Sequence, residues 1–67
     1  MSVAKTIEIS SDSTVSFEEA IRDGLRRAGK TIKNIRRAWV ADQLVEVSGN
    51  EITTFRVHLK VTFVLDE

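Results

Sequence analysis

The chain has 67 residues, ten basic and ten acidic side chains, no cysteine and no proline. A chain of this size buries only roughly 60% of the surface that its unfolded form exposes, and without cysteine neither a disulfide nor a thiolate-bound metal can supply the missing stability. Self-association is the remedy left, in one domain spanning residues 1–67.

No stretch approaches the roughly 20 apolar residues of a membrane span, and the start Met1–Thr6 has no secretory pattern, so a cytoplasmic protein without a membrane partner is expected. The lack of cysteine agrees with a reducing compartment. Seven of the ten basic residues, Arg22, Arg26, Arg27, Lys30, Lys33, Arg36 and Arg37, fall between positions 22 and 37 against Asp23 alone. With a whole-chain pI of 6.6, this block reads as a solvated helix face and basic strand start, and nucleic-acid binding is not expected.

In chain order, Val3 to Ser10 alternates apolar Ile7 and Ile9 with polar neighbours, the period of a half-buried strand, and Ser10 to Thr14 reads as a loop. Ser16 and Glu19 have capping-box spacing, and Val15 is placed to form a hydrophobic staple with Ala20. Phe17, Ala20, Ile21, Gly24, Leu25 and Ala28 form one apolar stripe of an amphipathic helix that closes near Gly29-Lys30 or runs on toward Ile32. Runs at about 37–47 and 52–65 flank Ser48-Gly49-Asn50-Glu51 and read as an antiparallel hairpin. In the last run Phe55, Val57, Leu59, Val61 and Phe63 share a core face, with Arg56, His58, Lys60 and Thr62 opposite. Arg37, Trp39, Ala41 and Gln43 share a face of the preceding strand unless a β-bulge breaks the alternation. The fold class is α+β, a β-α-β-β subunit with a curved antiparallel three-stranded sheet around one helix.

Nothing resembles a nucleophile motif, a phosphate loop or zinc spacing, and His58 has no sequence-adjacent serine or cysteine to activate, so no enzyme is expected. Asp42, Glu46 and Glu51 carry the oxygen ligands that calcium requires and are candidates at a subunit junction. Trp39 is a candidate stacking platform for a planar ligand, or an interface residue.

The ordered set Ser16-Phe17-Glu18-Glu19-Ala20-Ile21, Ala28-x-x-Thr31-Ile32-x-Asn34-Ile35, Asp42-Gln43 and Phe55 through Asp66 resembles the dodecin family over nearly the whole chain. The resemblance implies a hollow homododecamer of cubic symmetry that stores or buffers a small ligand, in many members riboflavin or FMN stacked in pairs between tryptophans, in some coenzyme A. By the same resemblance, Arg37 stands where the flavin-stacking tryptophan is usual, with Trp39 two residues on, and Arg56 stands where flavin binders carry a glutamine. The expected ligand site is therefore Trp39, Arg37, Gln43 and Arg56. Arginines at these positions are similar to a branch with a calcium-associated, flavin-free member.

Overall fold

The computed structural model describes residues 2–65. Its elements are β1 (Ala4–Ser13), α1 (Phe17–Ala28), β2 (Ile35–Ser48) and β3 (Glu51–Val64). Both β1 and β2 pair antiparallel with β3, giving the sheet order β1-β3-β2 with β3 in the centre.

Helix α1 begins where the sequence places it. Ser16 is extended, with φ −168° and ψ 165°, and its Oγ accepts from the Glu19 amide at 3.0 Å. Glu18 and Glu19 sit in the first turn and Arg26 and Arg27 in the last, each sign at the end of the helix dipole that favours it. The staple is not formed: Val15 is 69% exposed, because the turn held by Ser13 Oγ accepting from the Val15 amide aims it outward. The helix ends at Ala28, and amides 29 to 32 still bond back to carbonyls 25 to 28. Gly29 keeps a right-handed helical conformation, and the left-handed residue before β2 is Asn34, with φ 66°.

Strand β1 continues three residues past Ser10, through what reads as a loop. The reason lies in β3, whose ladder extends to Ser13↔Phe55 and satisfies the backbone that the short polar side chains would otherwise bind. Ser11 faces the helix there, and Gly24 lets the two backbones meet. A Cβ on Gly24 would lie 2.9 Å from Ser11 Cβ. Gly24→Ala is therefore expected to lose stability, overpacking of about 1–3 kcal/mol outweighing about 1 kcal/mol of helix propensity. Adding Ser11→Gly should recover part of the loss, so urea titrations of the two single variants and the double variant should be non-additive.

The hairpin turns through Gly49 (φ 55°) and Asn50 (φ 66°), the two positive φ angles that a two-residue turn with the twist of its strands requires. As the alternation predicts, Val57, Leu59 and Val61 form the core with Ala20, and Phe17 meets Phe55 edge to face at 5.2 Å. The helix packs over β1 and β3 and leaves most of β2 bare. Among the described residues no helix is long and apolar enough to cross a membrane.

Candidate functional site

Residues paired directly across an antiparallel ladder project from the same face, so the register assigns every side chain of the sheet. The face turned away from α1, called here the open face, carries four cross-strand rows: Thr6–Thr62–Arg37, Glu8–Lys60–Trp39, Ser10–His58–Asp42 and Asp12–Arg56–Leu44. Glu46, opposite Thr54, follows on the same face.

The register of β2 slips twice around this site. Ile35 pairs with Phe63 and Arg37 with Thr62, and Val40 pairs with Leu59 and Asp42 with His58, so Arg36 and Ala41 are each bulged out. The slip at Ala41 corrects the expected site. From Arg37 to Val40 the odd-numbered residues face open; beyond the bulge the even-numbered ones do, and Gln43, opposite Val57, turns to the helix side. Trp39, Arg37 and Arg56 share the open face, and Gln43 does not join them.

Trp39 is 54% exposed. The side chains of Arg37 and Lys60 have no hydrogen bond, ion pair or ring contact among the described residues. Arg56 differs. Its Nε and Nη2 donate to the two carboxylate oxygens of Asp12 at 2.7 and 3.0 Å, and its Nη1 donates to Glu46 at 3.3 Å. One guanidinium thus ties β1, β3 and β2 together. It also lies four residues along β3 from Lys60, roughly 13 Å from the Trp39 row. Arg56 belongs to a clamp of its own and not to the Trp39 platform.

The clamp sets a pH dependence. The hydrogen bond from Arg56, outweighing desolvation and aided by the Arg56 and His58 charges, holds Asp12 below its ordinary value of 3.8, and Asp12 in turn raises Arg56. A carboxyl whose folded value is depressed contributes stability above its unfolded value and loses it as pH falls through the folded one. Acidification below about pH 4 is therefore expected to lower the urea midpoint of the native chain more than that of Asp12→Asn. Parallel curves for the two proteins would show that the clamp adds nothing.

His58 Nδ1 lies 2.9 Å from Asp42 Oδ1, placed to donate to that carboxylate when it carries the proton, with both side chains about half exposed or more. The fold also brings Ser10 opposite His58, a neighbour 48 positions away that reading along the chain misses. Ser10 makes no hydrogen bond to His58, so no activated hydroxyl results. The three calcium candidates are kept apart. Asp42 is held by His58 and Glu46 by Arg56, four residues or roughly 13 Å apart along β2, while Glu51 lies beyond the turn opposite Ser48. Among the described residues no three His, Cys, Asp or Glu side chains gather as a metal site. A groove of about 890 Å³ runs between β1 and the second half of α1, floored by Ile9, Gly24, Ala28 and Ile32 and rimmed by Arg27 and Lys30.

A three-stranded antiparallel sheet holding one helix against one face and presenting a charged, tryptophan-bearing face on the other is the subunit of a known class of small β-α-β-β proteins. The dodecin family model matches residues 3–66, and the chain belongs to the dodecin family. It is 36% identical over 63 residues to the calcium dodecin of Mycobacterium tuberculosis, covering 94% of this chain and 89% of that one. The structure of that calcium-chelating antigen superposes with a TM-score of 0.83 at 34% identity, over 96% and 91% of the two chains. The dodecin of Streptomyces davaonensis gives 0.94 at 29% identity over 98% and 97%, and a variant of the Thermus thermophilus dodecin gives 0.95 at 28% identity over the full length of both.

Proposed function

We propose that this protein is a non-enzymatic, cytoplasmic binding protein that self-associates into a hollow shell, a homododecamer by its family resemblance, and stores or buffers a small ligand on the open face. The observation that carries the ligand reading is Trp39, exposed on a sheet face beside Arg37, whose side chain has no ion pair among the described residues. An indole held on a rigid strand offers a large planar contact at little entropic cost, and a facing copy would close the sandwich around a planar ring. FMN and riboflavin are the ligands to test.

The shape supports self-association. A compact chain of 67 residues has a radius of gyration of about 11 Å. This one measures 13.8 Å, with extents of 52 × 20 × 13 Å. Apolar Trp39, Val40, Leu44, Val47 and Ile52 are all exposed on the hairpin, where water is an unfavourable neighbour.

The test is an absorbance spectrum of the protein purified without added ligand, followed by titration of Trp39 fluorescence with riboflavin and FMN on an oligomer of measured mass. Saturable quenching supports the flavin reading; a colourless oligomer without quenching removes it. A second reading, an ion-stabilised shell without an organic ligand, is favoured by the similarity to the calcium dodecin and by the carboxylates of the open face. Because the three calcium candidates do not meet within one chain, such a site would be completed between subunits. It predicts that EDTA lowers the melting temperature and dissociates the oligomer, and unchanged size and melting after chelation would refute it.

A further inference from the structure

Charge on the open face is unevenly satisfied along its length. Toward the hairpin turn, Asp12 and Glu46 are bound by Arg56, and Asp42 has the His58 ring nitrogen 2.9 Å away. Toward the other end, the row Glu8–Lys60–Trp39 and its neighbour Arg37 contain two cations, and neither has an ion pair among the described residues. Lys60 stands directly across the ladder from Trp39, with Cβ atoms about 5 Å apart for such a pair. Arg37 lies two residues along β2 on the same face. The indole is thus bracketed by an ammonium on the neighbouring strand and a guanidinium on its own. The carboxylate of the row, Glu8, lies on the far side of Lys60, one strand further from the indole.

The geometry points to Lys60 as the residue that, with Arg37, makes the Trp39 platform select planar aromatic ligands bearing a phosphate over their neutral counterparts. This rests on the ligand reading above and deepens it. A ring stacked on Trp39 places a flexible phosphate tail within the reach of either cation, and a phosphate gains a charge-assisted contact that a hydroxyl in its place does not. Arg56 takes no part, because its donors are already engaged by two carboxylates. Glu8 opposes the selection through repulsion of the same tail.

The experiment is a fluorescence titration of Trp39 with riboflavin, FMN and AMP, using oligomers of matched mass of the native chain and of the Lys60→Gln, Arg37→Gln, Glu8→Gln and Lys33→Gln variants. Riboflavin quenching reads the platform alone; the ratio of FMN to riboflavin affinity reads the selection. The native protein should prefer FMN, and Lys60→Gln should weaken FMN roughly 3- to 10-fold while leaving riboflavin nearly unchanged. Arg37→Gln should act in the same direction, and Glu8→Gln should strengthen FMN roughly twofold. Lys33→Gln, which removes the same charge away from the sheet, should leave the ratio unaltered. AMP should compete with FMN better than adenosine does, and added salt should shrink the FMN preference. Equal affinity for FMN and riboflavin, or a Lys60→Gln loss shared equally by both, overturns the selection while the platform stands. Absence of quenching by every ligand overturns the platform and the selection with it.

Discussion

Replacing Leu59 by alanine is expected to unfold the isolated subunit. Leu59 is 1% exposed at the centre of β3, between Val57 and Val61 on the strand and beneath Ala20 and Gly24 of α1. Removing its isobutyl group costs the transfer energy of the lost atoms plus the cavity left behind, about 2–5 kcal/mol for such sites. A chain of this length is stable by only about 3–10 kcal/mol, so the lower part of that range is consumed by one substitution. The sheet cannot relax to fill the gap, because its ladder continues on both sides of Leu59, to Ile9 and to Val40. The expected result is loss of the far-ultraviolet helix and strand signal at 25 °C, or a urea midpoint near zero where assembly rescues part of the fold. A midpoint within experimental error of the native one would show that the core lies elsewhere, in surface that only assembly buries.

What the sequence revealed follows the range over which each signal acts. The helix start is local: Ser16 and Glu19 are three residues apart, and the Ser16 half of the cap forms, its Oγ accepting from the Glu19 amide, while the Glu19 side chain does not return a bond to the Ser16 amide. The core face of β3 is periodic, and a strand buried on one side by α1 and supported on both edges keeps that period from Phe55 to Phe63. The bulges of β2 leave no such mark. Val40-Ala41-Asp42 contains no glycine or proline to announce a slip, and a single extra residue sends Gln43 to the helix side while admitting Leu44 and Glu46 to the open face. Strand order is equally silent, so Asp12 reads as part of a loop until β1 is placed beside β3, 44 residues away, where it meets Arg56. Lys60 carries no local distinction either. Its significance comes from standing opposite Trp39 in a ladder that the bulge at Ala41 has re-phased.

Charging both faces of β2 is expected to dismantle the proposed assembly, which the Val40→Lys, Leu44→Glu double variant tests. Val40 lies on the helix side and Leu44 on the open side of an edge strand, and they are 46% and 41% exposed in the single chain. A subunit folding alone would tolerate charge at both, since exposed substitutions change stability by about 0.5 kcal/mol or less. A subunit whose β2 is covered by its neighbours would have to bury two charges, and an uncompensated buried charge costs several kcal/mol at each symmetry-related contact. Repeated around a closed shell, that penalty removes the assembly outright and leaves the 7.5 kDa chain as the species in solution. Native mass measurement separates the two cases. Dissociation with retained secondary structure shows that β2 is interface and that the subunit folds alone; dissociation with unfolding shows that β2 is interface and that the small core depends on it. Retention of the native mass refutes the interface, and with it the account of why a chain with so little core exposes its apolar residues on one hairpin. The converse expectation concerns the native protein: if its fold is completed by its neighbours, its melting temperature rises with protein concentration, and a melting temperature independent of concentration counts against that.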